Sequence, residues 1–217
     1  MKCGAPVQPG VRAVLKQRLD QPLPSDAARF DEVVLSIGHL PGRAVESALA
    51  PFAGLPVRLA LPVFTHERDF HALRTAVKHL LRVGFTRWEA SDLATLRLLR
   101  QAGVSDVSSD WTLYAFNRAA LAELADLGVV RAVASPENAH ENLDSLAQGP
   151  LPVEFLEQQS TPLFISLTQP AAEGPRFDAF TAFQLDGLWV TTRAVPRRFK
   201  PPAGAPRRLD LSWDPTL

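Results

Sequence analysis

The chain has 217 residues, 46% of them hydrophobic, so it is long enough and apolar enough to bury the core of one substantial domain. Its 23 basic and 23 acidic residues give a formal net charge of zero, which argues against a binder of duplex nucleic acid or of an anionic membrane surface. The single cysteine, Cys3, excludes an intramolecular disulfide and a cysteine-ligated metal site built from this chain alone.

Residues 1–30 are interpreted as an N-terminal extension. They lack the apolar run of a signal peptide, and no stretch of the sequence approaches the ~18 apolar residues of a membrane-spanning helix, so we expect a cytoplasmic protein. Four apolar residues fall on one side of a helical projection and predict a short helix over residues 11–19, before a proline-rich break. They are Val11, Val14, Leu15 and Leu19.

From residue 31 onward, strands and helices alternate. Apolar, β-branched runs predict strands over 33–37, 57–63, 85–89, 104–108 and 129–134, and apolar stripes predict helices over 43–52, 67–83, 92–101, 118–127 and 137–146. Gly84, Gly103 and Gly128 each stand between a helical stripe and a strand, where glycine favours the end of a helix. This alternation predicts an α/β fold with a parallel sheet and right-handed crossovers.

The last part of the chain follows a different pattern. Residues 152–156 and 163–167 are predicted strands with no helix between them, and residues 179–192 predict a hairpin that turns at Asp186-Gly187. Residues 207–213 add a further strand, and the basic residues around them, including Arg207 and Arg208, are interpreted as a solvated tail. We therefore divide the chain into the extension 1–30, a βα-repeat domain 31–170 and a β-rich C-terminal extension 171–217.

The sequence contains about five strand–helix units, whereas a closed (β/α)₈ barrel needs eight. The domain is therefore predicted to be a partial or TIM-barrel-like parallel sheet, an open sheet, or one part of a barrel that another chain completes. The last alternative implies a homodimer or a heterodimer as the functional form.

Ligands of parallel α/β folds bind at the carboxyl ends of the strands, and several polar residues are predicted to lie there. Glu89 is the hardest to explain without a function, because a carboxylate that ends an apolar strand needs a partner or water. We expect the candidates to share one rim of the sheet. The candidate catalytic residues are Glu89, Asp110 and Glu137, and the candidate substrate-binding residues are His66, Asn117, Ser135 and Gln158.

Most of these candidates also have a purely structural explanation. Asn117 and Ser135 suit helix N-caps, and Glu137 suits the first turn of a helix. Asp110 suits its own turn, and His66 suits a surface position beside a helix start. The five histidines show no metal-ligand spacing, and the sequence has no glycine-rich phosphate loop, so we expect neither a metal nor a cofactor.

Two stretches carry a resemblance to a known family. The first runs Asp110-Trp-Thr-Leu-Tyr-Ala-Phe-Asn117, continues through a helix, and ends at Ala134-Ser-Pro-Glu137; the second combines Pro152-Val-Glu-Phe-Leu156 with Thr161-Pro-Leu-Phe-Ile165. In order and spacing they resemble the collagenase-like peptidase U thirty-two family over residues 31–170. The resemblance implies a site that includes Asp110, Asn117 and Glu137.

That family includes peptidases, together with proteins needed for oxygen-independent hydroxylation of ribosomal RNA, transfer RNA and ubiquinone precursors. The hydroxylation proteins are similar to one another in using clustered cysteines, often for an iron–sulfur centre. Here the corresponding positions, 164–169, contain no cysteine, and Gln159-Ser160 replaces the usual glycine. The resemblance therefore implies an accessory or substrate-binding subunit without a cluster. The alternative is an enzyme that uses rim carboxylates on a peptide, an RNA or a prenylated ring.

Overall fold

The computed structural model describes residues 12–170 and 178–216; Cys3 lies outside these ranges. The described residues form twelve strands and five α-helices. The strands are β1 (Ala13–Arg18), β2 (Glu32–Ser36), β3 (Val57–Ala60), β4 (Arg87–Ala90), β5 (Asp106–Ser109), β6 (Arg131–Val133), β7 (Val153–Gln159), β8 (Pro162–Ser166), β9 (Phe180–Leu185), β10 (Leu188–Arg193), β11 (Arg197–Arg198) and β12 (Arg207–Asp210). The helices are α1 (Gly42–Ala48), α2 (Phe70–Arg82), α3 (Leu93–Gln101), α4 (Arg118–Asp126) and α5 (His140–Ala147).

Eight parallel strands close into a barrel. Strands β1 to β7 pair in sequence order, and β12 pairs in parallel with both β7 and β1, which joins the two ends of the sheet. The predicted TIM-barrel-like α/β fold is confirmed, and the barrel is complete within this one chain. The expectation of a partner that completes the barrel therefore loses its geometric basis.

Strand β1 replaces the helix predicted over residues 11–19, and that prediction is wrong. Leu15 pairs with Val33 of β2 and with Leu209 of β12, so tertiary pairing decides the conformation. The apolar residues fit helical spacing because this strand is buried on both faces and shows no alternation. Strand β1 lies in the segment 1–30 and β12 in the segment 171–217, so two of the eight barrel strands come from segments predicted as extensions.

The α-helices lie outside the barrel and bury their apolar stripes against its outer face. Leu73, Val77 and Leu80 of α2 belong to the same core cluster as Leu35 and Leu59 of the strands. The predicted helix stops are confirmed, since the glycines that follow α2, α3 and α4 have φ angles of 102°, 82° and 85°. Every helix among the described residues is too short or too polar to cross a lipid bilayer.

The helix N-caps predicted from the sequence are only partly confirmed. Asn117 caps α4 as predicted, because its Oδ1 accepts a hydrogen bond from the Ala120 amide at 2.8 Å. Asp92 caps α3 in a capping box with Thr95, whereas the Ser91 hydroxyl donates to the Leu61 carbonyl. Ser135 caps no helix, since α5 starts only at His140.

Between β7 and β12, the chain builds a separate antiparallel sheet in the order β8–β10–β9, which we call the lid sheet. The predicted hairpin is confirmed: Asp186 and Gly187 connect β9 to β10, and both have positive φ angles, of 50° and 78°. The turn lies against the loop after β2, where Asp186 Oδ1 is only 2.6 Å from the position that a Cβ on Gly38 would occupy. A side chain at residue 38 would therefore displace the Asp186 carboxylate from this position.

The Asp92 cap gives a test of the helix assignment. We expect Asp92→Ala to lower the free energy of unfolding by about 1 kcal/mol, because the first turn of α3 loses its side-chain acceptor. Urea denaturation followed by circular dichroism measures this loss. Asp69→Ala is the matched control, since Asp69 precedes α2 without a capping hydrogen bond. Equal losses in the two variants would contradict the assignment.

Candidate functional site

Charged side chains fill much of the barrel interior, where aliphatic residues are the usual filling. Val14, Val34 and Ala60 form a small apolar layer there. Nine charged residues of the described chain are at most 8% exposed, five acidic and four basic. They are Lys16, Glu32, Arg58, Glu89, Asp110, Arg131, Glu154, Arg208 and Asp210. Buried charges need partners to offset their loss of hydration, so their pairing decides what they do.

One group of these charges lies toward the mouth of the barrel, meaning the carboxyl ends of its strands. Arg208 Nη1 and Nη2 donate to Glu89 Oε1 and Oε2 at 3.0 and 2.6 Å, and its Nε donates to Glu154 Oε2 at 2.8 Å. Lys16 Nζ lies 3.0 Å from Glu89 Oε1 and 2.6 Å from Asp110 Oδ2. We call Lys16, Glu89, Asp110, Glu154 and Arg208 the mouth network.

A second group lies at the opposite end, where the strands begin. Glu32 pairs with Arg58, whose Nε lies 3.2 Å from Glu32 Oε2, and with Arg131 and the half-exposed Arg12. Arg131 also pairs with Glu154 of the mouth network. The two groups therefore form one chain of ion pairs along the barrel axis.

The network shifts the pKa values of its members. Burial opposes ionisation of Glu89, but Arg208 and Lys16 outweigh it and hold the pKa of Glu89 well below its usual range. Burial likewise opposes the charge on Lys16, yet Asp110 and Glu89 raise the pKa of its ammonium above the usual value. Both groups are therefore charged at neutral pH.

Asp110 behaves differently from Glu89. Burial raises its pKa, and the pull of Lys16 in the other direction does not cancel that effect. Glu89 and Asp210 add to the rise, since two further carboxylates nearby disfavour a third negative charge. Asp110 thus takes up a proton more readily than Glu89 does.

A small cavity of about 30 Å³ lies above the mouth network and under the lid sheet. Its barrel side is polar, with Lys16, Ser36 and Ser212, and Trp213 stands beside them. Its lid side is aliphatic. The lid residues are Ile165, Leu185, Leu188 and Val190, with Asp186 at the turn. We call this space the mouth cavity.

The structure brings only two of the candidate residues together. Glu89 and Asp110 meet through Lys16 in the mouth network. Glu137 is exposed in a different cleft, beside Arg193 and Arg197. The predicted single rim of carboxylates is therefore reduced to this pair.

The four predicted substrate-binding residues lie outside the mouth cavity. His66 is exposed and caps a 3₁₀ turn, and Asn117 is the exposed cap of α4. Ser135 is buried and accepts a hydrogen bond from the Glu137 amide at 3.3 Å. Gln158 lies in β7 and pairs with both Arg198 and Leu209. Each of these positions has a structural explanation.

Lys16, Arg208 and Trp213 line or support the mouth cavity but were missed by sequence reasoning. The interpretation of Arg208 as part of a solvated tail is wrong, because its side chain is 0% exposed. One signal was present: Lys16 directly follows the apolar run Ala13-Val-Leu15. A charge in such a position needs a partner of opposite sign, although the sequence does not say which.

Among the residues that the structure describes, no group of three histidine, cysteine, aspartate or glutamate residues is arranged to hold a metal ion. No family model, curated protein or solved structure matches this chain. The relation to the peptidase U thirty-two family therefore remains a prediction from its sequence motifs.

Replacing Arg208 tests whether the mouth network holds the barrel together. We expect Arg208→Met to lower the free energy of unfolding by about 3–5 kcal/mol, because Glu89 and Glu154 lose their shared buried cation. Urea denaturation at neutral pH measures this. Arg198→Met, at an exposed position in β11, is the control and is expected to change stability by less than about 0.5 kcal/mol. A loss below 1 kcal/mol at Arg208 would contradict the structural role.

The pH dependence of stability follows from the lowered pKa of Glu89. Its ion pairs stabilise the fold fully above the ordinary pKa of 4.5, and this stabilisation is lost as the pH falls toward the lower folded-state value. We expect the free energy of unfolding to fall below about pH 4.5, by up to ~1.4 kcal/mol per pH unit from this group. Asp110, with its raised pKa, contributes with the opposite sign.

Urea denaturation between pH 6 and pH 3 measures this slope. Glu89→Gln is expected to flatten the slope, whereas Glu67→Gln, at an exposed position, is expected to leave it unchanged. If Glu89→Gln and the wild type lose stability in parallel over this interval, Glu89 is not the group that responds.

Proposed function

We propose that the protein is a ligand-binding barrel, a divergent relative of the peptidase U thirty-two family that acts as an accessory or substrate-binding subunit without an iron–sulfur cluster. The observation that carries this proposal is the state of Glu89 and Asp110, the two candidate catalytic residues that meet. Both are at most 1% exposed, and both contact the Lys16 ammonium.

The contacts of Glu89 favour a structural role over a catalytic one. Its Oε1 accepts from Arg208 and contacts Lys16, and its Oε2 accepts from Arg208 and from the Ser108 hydroxyl at 3.2 Å. A general base needs a free lone pair within reach of the substrate and a pKa near the working pH. Glu89 has neither, so it serves as part of a fixed floor beneath the mouth cavity.

Lys16 also lacks the properties of a nucleophile. A lysine attacks a carbonyl carbon only as the neutral amine, and its pKa is raised rather than lowered. It stays an ammonium that neutralises Glu89 and Asp110 and presents N–H donors to the cavity. This favours binding and orienting a ligand over forming a covalent intermediate.

The residues of this chain do not fit the iron–sulfur cluster that the family resemblance implies. Its sequence contains one cysteine, and the segment 164–169, which corresponds to cysteine-bearing positions in that family, begins within β8 of the lid sheet. Exposed Phe164 and Leu167 occupy part of this segment. A cytoplasmic location and a homodimer or heterodimer remain predictions from the sequence.

A second candidate function is catalysis by Asp110. Its raised pKa allows it to hold a proton, and Lys16 Nζ lies 2.6 Å from its Oδ2 at the edge of the mouth cavity. A carboxyl group that takes up a proton beside an ammonium is able to act as a general acid toward a peptide or a ring substrate. This arrangement favours the enzyme alternative over a purely inert barrel.

Binding at the mouth cavity is tested by blocking it. A thermal-shift panel of small amides, carboxylates, amines and capped dipeptides is run on the wild type, on Leu188→Trp, which fills the lid side of the cavity, and on Val83→Trp. Val83 is 43% exposed after α2, away from the cavity lining, and is the matched control. We expect at least one class to raise the Tm of the wild type and of Val83→Trp but not that of Leu188→Trp.

The same protein is assayed for hydrolysis of fluorogenic peptides. We expect no turnover above buffer. Turnover that disappears in a folded Asp110→Asn variant would replace the binding proposal by the enzyme alternative. The absence of any Leu188-dependent shift across the panel would also overturn the binding proposal.

A further inference from the structure

A second cavity, of about 230 Å³, lies beside the lid sheet and follows the carboxyl end of β6. It shares no lining residue with the mouth cavity, so the two spaces are separate. Ligands of parallel barrels bind at this end of the strands. We call this space the lid cleft, and its wall includes Pro136, Glu137, Leu163, Arg193, Val195 and Arg197.

Two arginines give one part of the lid cleft a positive charge. Arg197 is held in place, because its Nη1 donates to the Pro136 carbonyl at 3.4 Å and its guanidinium lies 4.7 Å from the centroid of the Phe199 ring. The exposed Arg193 side chain makes no hydrogen bond or ion pair with another described residue. Both guanidiniums therefore have N–H donors to offer to an anionic group in the cleft.

Glu137 brings a negative charge to the same cleft. Its side chain is exposed, and its carboxylate oxygens lie more than 4.0 Å from the side-chain nitrogens of Arg193 and Arg197, so it forms no ion pair with either. Water solvates each of these exposed charges, so the fold does not require them to pair. The cleft thus presents charges of opposite sign that are separated from each other.

The remaining wall of the lid cleft is aliphatic. Leu163 and Val195 are 42% and 74% exposed, and Pro136 lies beside them in the lining. A ligand with an aliphatic body would cover these side chains and remove apolar surface of both partners from water.

Size and charge together limit the ligand. A water molecule occupies about 30 Å³ in the liquid, so a cavity of about 230 Å³ holds roughly seven or eight groups of that size. An aliphatic carboxylate without an amine would be repelled by Glu137, and an aliphatic amine without a carboxylate would be repelled by two guanidiniums. A molecule that carries both charges on a short aliphatic body satisfies the whole wall.

We propose that the lid cleft binds small aliphatic α-amino acids as zwitterions. The carboxylate binds to Arg193 and Arg197, the ammonium to Glu137, and the aliphatic side chain packs against Leu163 and Val195. This site is additional to the proposed binding at the mouth cavity and does not depend on it. It gives Glu137 a role in binding a ligand, at a place in the fold that the mouth network does not reach.

Three probes that share one carbon skeleton test the ligand class: valine, 3-methylbutanoate, which lacks its amino group, and isobutylamine, which lacks its carboxylate. Saturation-transfer NMR at pH 7 measures their affinities. We expect weak binding of valine, about fivefold tighter than that of either singly charged probe, because exposed ion pairs contribute little each. Absence of valine binding, or equal binding of 3-methylbutanoate, would overturn the proposal.

Two substitutions separate the contacts of the two charges. We expect Arg193→Gln to weaken the binding of valine and of 3-methylbutanoate, and Glu137→Gln to weaken that of valine alone, each by about threefold to fivefold. Arg198→Gln and Glu141→Gln are the matched controls, since both residues are exposed and lie outside the cleft lining. Unchanged valine affinity in a folded Arg193→Gln or Glu137→Gln, with folding checked by circular dichroism, would contradict the assigned contact.

The variant Leu188→Trp distinguishes the two cavities. Leu188 lines the mouth cavity and not the lid cleft, so we expect Leu188→Trp to bind valine as the wild type does. Loss of valine binding in this variant would place the amino acid in the mouth cavity and overturn the assignment to the lid cleft. Failure of the mouth-cavity panel, by contrast, leaves the valine result unaffected.

Discussion

The ion pairs of Arg208 hold the barrel and its mouth in one arrangement. Arg208 enters from β12, Glu89 from β4 and Lys16 from β1, so one contact joins strands on different sides of the ring. Because the interior is buried, each charge is tolerated only while its partner is in place. The mouth network therefore couples barrel closure to the shape of the floor on which a ligand would rest.

This coupling also explains why the residues at the mouth have different roles. Groups that hold the barrel together, such as Glu89 and Arg208, use their hydrogen-bonding capacity on each other. Groups at the edge of the network differ: the Trp213 indole N–H has no acceptor among the described residues, and Asp110 has a raised pKa. The groups available for function, Trp213 and Asp110, thus lie at the edge of the mouth network, between the barrel and the lid sheet.

Local signals in the sequence predicted the middle of the fold well. Apolar stripes and the glycines after α2, α3 and α4 mark βα units because both act within a few residues of one another. The signals failed at β1, whose conformation depends on neighbours far along the chain, and at Arg208, whose partners lie 54 and 119 residues away. The meeting of Glu89 with Asp110 was predictable from strand order, but their neutralisation by Lys16 was not.

The position of β12 has a consequence for the order in which the protein assembles. Strands β1 to β7 are translated before β12. During synthesis, Glu89 and Glu154 therefore lack Arg208, the residue that pairs with them in the folded barrel. Without β12 we expect an open sheet in which the β1 and β7 edges lack their partner strand and Glu89 and Glu154 lack the Arg208 guanidinium. The nascent protein is thus vulnerable to edge-to-edge association until this late strand docks.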